Sequence, residues 1–272
     1  MQRFDPAAGQ RNFITTRAVR TDGNMTWTAA LMVNYGYKPF TIKTCRTSPC
    51  RPEPDPTVDV IPVVENMVTG DLYGSLTIIP RLQVALRVPV SWSKGQGIEP
   101  DGTRPAQGLS AVGLGDVQLE GKMRFYGEVD SPFTFGAFIY GTVPFGNLTA
   151  QGSYIGSSTA SVGGALVGDF RFGDLTFGAN AGFLGRGEAQ IGPGTRLGSE
   201  VRWSAAAGYQ VGPLIRLVAD VFGNTSVVDV SSLGADSIEV DGAVQFVPLG
   251  SPLTITVGGG AGALKGVGVP DA

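Results

Sequence analysis

Residues Gly113 to Val143 alternate with a period of two. Val117, Leu119, Gly121, Met123 and Phe125 are apolar or small, and Asp116, Gln118, Glu120, Lys122 and Arg124 between them are polar or charged. A turn follows at 127–131, and alternation resumes with Phe133, Phe135, Ala137, Ile139 and Val143 on one face. Successive side chains of a strand point to opposite faces, so the pattern predicts two strands and excludes a helix. A soluble sandwich turns the apolar face to a packed core and the polar face to water. A membrane barrel turns the apolar face to lipid and the polar face to a lumen.

Composition narrows the choice. Charged residues make up 16 % of the 272, against about 25 % in soluble domains, and 41 residues are glycine without a collagen-like period. Alternating strands with few charges produce such a balance. The net charge of -3 gives no reason to expect a nucleic-acid partner. No apolar run reaches the roughly 18 residues of a membrane helix. The opening Met1-Gln2-Arg3-Phe4-Asp5-Pro6 lacks the apolar stretch of a signal peptide, so an exported form has had its signal removed or replaced by this Met. Cys45 and Cys50 lie in a Pro/Thr/Ser-rich segment. They are too few for a zinc site, and a local disulfide in an oxidising compartment is favoured over two free thiols.

The chain divides into an irregular segment, 1–25, readable as a strap or plug, and a β-domain, 26–272. Strands are predicted at 27–37, 67–79, 82–92, the two around 113–143, 158–172, 174–186, 199–211, 214–222, 236–247 and 253–263. Their connections alternate in length. Short ones fall at 80–81, 127–131, 173, 212–213 and 248–252; long ones at 38–66, 93–112, 145–157, 187–198 and 223–235. Outer-membrane barrels have this asymmetry, with periplasmic turns at one end and external loops at the other. Trp27, Tyr37, Trp92, Phe133, Phe172 and Tyr209 fall near strand ends, where aromatic girdles sit. Eleven strands are visible and single-chain bacterial barrels use even numbers. The expectation is therefore an all-β, antiparallel, up-and-down transmembrane β-barrel of about twelve strands with the last one missing.

The absence of histidine removes Ser-His and Cys-His nucleophile pairs and weighs against the barrel enzymes. The glycine runs at 113–115 and 258–262 open no amphipathic helix, so neither reads as a phosphate loop. No catalytic residue, metal or cofactor is expected. The functional constellation is a set of charges expected to face the lumen. Arg87, Lys122, Arg124, Arg171, Arg186, Arg202 and Arg216 are positive; Asp71, Asp116, Glu120, Asp169, Glu200, Asp220, Glu239 and Asp241 are negative. Near balance favours a paired network filling the lumen over signs segregated across an open pore.

Several short stretches resemble the N-terminal barrel of OmpA-family outer-membrane proteins of the myxobacterial, deltaproteobacterial type. They are Phe4-Asp5-Pro6, Arg11-Asn12-Phe13, Asn34-Tyr35, the run 81–90 beginning Arg81-Leu82-Gln83, Gly113-Leu114-Gly115-Asp116, Ala219-Asp220-Val221-Phe222-Gly223 and the run 266–271 ending Val269-Pro270-Asp271. The resemblance implies a bacterial outer-membrane location and outer-membrane lipid as partner. It also implies a further strand, and a peptidoglycan-binding domain that these residues lack. The expected function is a structural membrane anchor with a narrow polar lumen. A porin or transporter for small solutes is the alternative, and a soluble β-rich surface adhesin ranks third.

Overall fold

The computed structural model describes residues 4–9, 11–21, 23–45, 58–98, 108–191, 195–228, 236–249, 252–264 and 268–270. Apart from one short helix, α1 (Phe145–Thr149), the regular structure is all β. The strands are β1 (Thr26–Cys45), β2 (Val58–Ile79), β3 (Leu82–Gly95), β4 (Leu109–Leu114), β5 (Val117–Tyr126), β6 (Phe133–Val143), β7 (Ser161–Phe172), β8 (Leu175–Arg186), β9 (Ala189–Ile191), β10 (Thr195–Leu197), β11 (Glu200–Val211), β12 (Ile215–Ser226), β13 (Ser237–Phe246) and β14 (Ile255–Leu264). They form one antiparallel sheet in chain order, curled into a half-barrel, and β9 and β10 form a separate hairpin. Both β4 and β5 pair with β3, β4 along Val90–Gly95 and β5 along Leu82–Arg87. They are two pieces of one strand, interrupted where Gly115 donates its amide to Pro89 O at 2.8 Å.

Long segments differ from expectation at the loop end. The stretch 38–66, expected to be a loop because of its prolines, is strand over much of its length. Phe40 to Cys45 pair with Val64 to Val58, after a register shift beside Lys38, whose φ is +49°. Pro39 and Pro62 are tolerated because they sit at and beside the irregularity, where the ladder is already broken. Phe40, Ile61, Val63, Val64 and Met67 form a buried cluster there, with Tyr154 of the 144–160 loop packed against it. Burial on consecutive residues explains why alternation fails over 61–64. The Cys45–Cys50 pairing lies outside the described residues.

Tight connections gather at one end and long ones at the other. Gly173 and Gly212, at φ +57° and +64°, make two of the tight turns, in a conformation that favours glycine. The outer face is apolar and uncovered: Leu31 is 69 % exposed, Leu119 64 % and Ile139 69 %. The concave face is polar and buried, with Asp71, Glu120, Lys122, Arg124, Asp169, Glu200, Asp220, Glu239 and Asp241 all shielded. This is the reverse of a soluble sandwich. Exposed aromatics stand at the turn end (Trp27, Tyr126, Phe133, Phe172, Tyr209) and toward the loop end (Tyr35, Tyr37, Trp92). No helix among the described residues is long and apolar enough to cross a membrane.

Candidate functional site: a strap held inside the half-barrel

The N-terminal segment runs through the concave side, and every residue from Asn12 to Thr21 is buried. It pairs with no strand, so its amides need other acceptors. The wall supplies them from side chains. Asp220 Oδ2, on β12, accepts the amides of Ile14, Thr15 and Thr16 at 2.9, 2.7 and 3.1 Å, and its Oδ1 accepts the Thr16 hydroxyl. Asn180, on β8, accepts the Arg17 amide and donates to the Arg17 carbonyl, each at 2.8 Å. Asp169 Oδ2, on β7, accepts the Val19 amide at 2.8 Å and the Thr134 hydroxyl at 3.1 Å. Lys122, on β5, donates to Ala18 O at 2.8 Å.

Space matters as much as bonding. A Cβ on Gly178 would stand 2.5 Å from the Phe13 ring, and one on Gly136 would stand 2.8 Å from Val19 Cγ1. Bare backbone on β6 and β8 lets the strap lie against the sheet. Phe13, Ile14 and Ala18 pack on Ala206, Val218 and Ala243, while Val19 packs with Phe138, Tyr140, Val167 and Leu184.

The ion pairs cross between strap and wall. Arg17 Nε meets Glu120 Oε2 at 2.8 Å and Arg17 Nη2 meets Asp5 at 2.9 Å, with the guanidinium 4.6 Å above the Phe138 ring. Arg87 also pairs with Asp5, and stands 3.8 Å from Asp71. Burial pushes the Asp5 carboxyl up, but Arg17, Arg87 and Arg202 outweigh it and hold its pKa at about 2. Burial disfavours the Arg17 cation, yet Asp5 and Glu120 raise its pKa above the usual value.

The other expected charges spread over three levels. Toward the loop end, Glu200 is bridged by Arg186 at 3.1 Å and Arg202 at 2.7 Å, and Arg202 also donates to the Tyr140 hydroxyl. Asp116 lies in the break between β4 and β5. It accepts the Ser157 amide at 2.7 Å. At mid-height Asp241 and Asp220 face each other across the β13–β12 ladder, and Glu239 is buried near them. At the turn end Arg124 donates to Pro80 O at 2.7 Å and Arg216 lies 4.9 Å over the Phe13 ring. Among the described residues Arg171 reaches the exposed Asp130, at 3.9 Å.

Cavities flank the strap at both ends. One of ≈ 170 Å³, at the loop end, includes Asp5, Arg87 and Arg202 in its lining; the other, of ≈ 340 Å³, is at the turn end. Between them the strap occupies the interior. Asp5, Asn12, Arg17, Arg20 and Asn180 organise the site, and none is assigned a role from sequence; Asp5 and Asn12 stand within two of the resembling stretches. The further signal for the strap is charge (Asp5, Arg11, Arg17 and Arg20) in a segment with no alternation to place it. Compared with known proteins, no family model matches the chain, and no curated protein matches it either.

Proposed function

We propose that this chain is a bacterial outer-membrane β-barrel that serves as a structural membrane anchor, its lumen filled by its own N-terminal strap. The observation that carries the reading is the inverted burial. Apolar side chains cover the outside of the sheet, while charges are buried inside and paired with the strap. Water gives no reason for that arrangement, whereas lipid against the outer face does. Aromatics at both rims and the sorting of turns from loops support the same orientation. The resemblance to OmpA-family barrels points the same way, and a peptidoglycan link is part of what that resemblance implies.

Closure belongs to the same reading, because lipid does not tolerate an unpaired edge. Eleven strands in antiparallel succession leave β1 and β14 running in the same direction. Gly268 donates to Pro39 O on β1 at 3.0 Å, only four residues after β14 ends at Leu264. Four residues span at most about 14 Å, so the two edges approach at the loop end to within the room for one more strand. A strand antiparallel to both edges completes a barrel of twelve.

A small-solute pore is the second reading, favoured by the cavities on either side of the strap. Single-channel conductance of the protein in a planar bilayer separates the two. The anchor reading expects a folded, silent barrel, and conductance only after residues 1–21 are deleted. A stable ohmic conductance with the strap in place overturns it.

A further inference from the structure

The ≈ 340 Å³ space at the turn end is a partly open pocket bounded by the strap and the ends of β7, β8, β11 and β12. Four guanidiniums line it: Arg11 and Arg20 from the strap, Arg171 from β7 and Arg216 from β12. Among the described residues two carboxylates line it as well, Asp169 and Asp174. Asp169 already holds the Val19 amide and the Thr134 hydroxyl through one oxygen. Asp174 is exposed in the turn between β7 and β8.

Arg20 and Arg216 are oriented by neutral groups. Arg20 donates to the carbonyls of Val129 and Ser131. Arg216 donates to Asn12 O, Gln245 Oε1 and Thr176 Oγ1, at 3.3, 3.2 and 3.1 Å. Arg171 has Asp130 at 3.9 Å, and that carboxylate is 95 % exposed. Hydrogen bonds to neutral acceptors fix a guanidinium without cancelling its charge. The crowding is felt: burial lowers the Arg20 pKa, and Arg171, Arg11 and Arg124 lower it further against the pull of Asp169. Among the described residues Arg20, Arg171 and Arg216 thus hold positive charge around a space large enough for a small ligand, since such pockets begin near about 300 Å³.

We propose that this turn-end cavity is an oxyanion-binding site for a phosphate-type group of at least two negative charges, with Arg20, Arg171 and Arg216 as its main donors. Guanidinium forks match phosphate oxygens in pairs, and such charge-assisted bonds are about twice as strong as neutral ones. The site does not depend on the membrane reading, because its test needs only the folded protein.

The test is calorimetric titration with pyrophosphate of the folded chain in a non-ionic maltoside detergent. Saturable binding at one site is expected, weakening as salt is added. Arg171→Gln should lower affinity about tenfold. Asp130→Asn, at an exposed position where folding is not at stake, should raise it about twofold by releasing Arg171. Arg81→Gln removes an exposed turn-end arginine that does not line the cavity and pairs instead with Glu128 at 2.5 Å; it should change nothing. Absence of saturable binding overturns the proposal, as does equal weakening by Arg81→Gln and Arg171→Gln, or an unchanged affinity in Asp130→Asn. Citrate binding in place of pyrophosphate overturns the phosphate assignment. A barrel that binds pyrophosphate yet fails to insert into lipid vesicles would sink the membrane reading and leave this one standing.

Discussion

Asp220 carries more of the strap than any other wall residue, because three consecutive amides converge on one of its oxygens. Asp220→Ala would leave those amides buried without acceptors, at a cost of about 3 kcal/mol or more. The midpoint of urea unfolding should fall accordingly, and protease should cut within residues 4–21 before it cuts the sheet. Asp220→Asn keeps a carbonyl acceptor and should fall between wild type and Ala; an Asn variant as unstable as Ala would show that charge, not acceptor geometry, holds the strap. Asp5 gives a pH dependence. Its pKa is depressed from 3.8 to about 2, so its contribution is fully present above pH 4 and is lost as pH falls through 2. That contribution is about 2 kcal/mol. Unfolding midpoints measured from pH 5 to pH 2 should drop across this window in wild type and stay flatter in Asp5→Asn.

At the scale of elements, strap and sheet are separable in principle and coupled in practice through bare backbone. Gly178→Val would drive a side chain into the Phe13 ring, at a cost of about 1–3 kcal/mol in overpacking. The expected outcome is faster proteolysis of the strap with the sheet's circular dichroism unchanged; loss of the β signal as well would mean that the strap is part of the folding unit. The outer face has its own test. Leu86 is 47 % exposed at mid-strand on β3. In lipid, Leu86→Arg should cost about 2–4 kcal/mol near the midplane. An unchanged unfolding midpoint in vesicles would argue that this face meets water.

Strands were the legible part of the chain. The alternation of Leu175, Phe177, Ala179 and Ala181 marks β8 to within a residue of its start, because period two is a local property of neighbouring side chains. Alternation also separates Leu119 from Glu120 wherever one face differs in polarity from the other. It fails at Ile61-Pro62-Val63-Val64, where a second cluster buries both faces of a strand, and across Gly115-Asp116, where one strand is broken in two. The site was legible in its wall and not in its contents. Arg186 and Glu200 can be placed on one face from their own strands, but nothing local brings Thr16 to Asp220 or Arg17 to Glu120.

For the molecule as a whole, alternation, turn glycines and loop lengths settle an antiparallel up-and-down sheet with distinct faces and distinct ends, since each of these follows from residues a few positions apart. Tertiary structure alone settles what the curvature encloses. The strap has no period, its partners Glu120, Asp169, Asn180 and Asp220 lie more than a hundred residues away, and the amides of Ile14 to Arg17 and of Val19 find their acceptors only once β7, β8 and β12 surround it. The same enclosure turns a nearly balanced list of charges into a middle where Arg17 meets Asp5 and Glu120 while Asp220 faces Asp241, and a turn end lined by arginines. Charge counts depend on composition, whereas charge pairing depends on which strands the curl brings face to face.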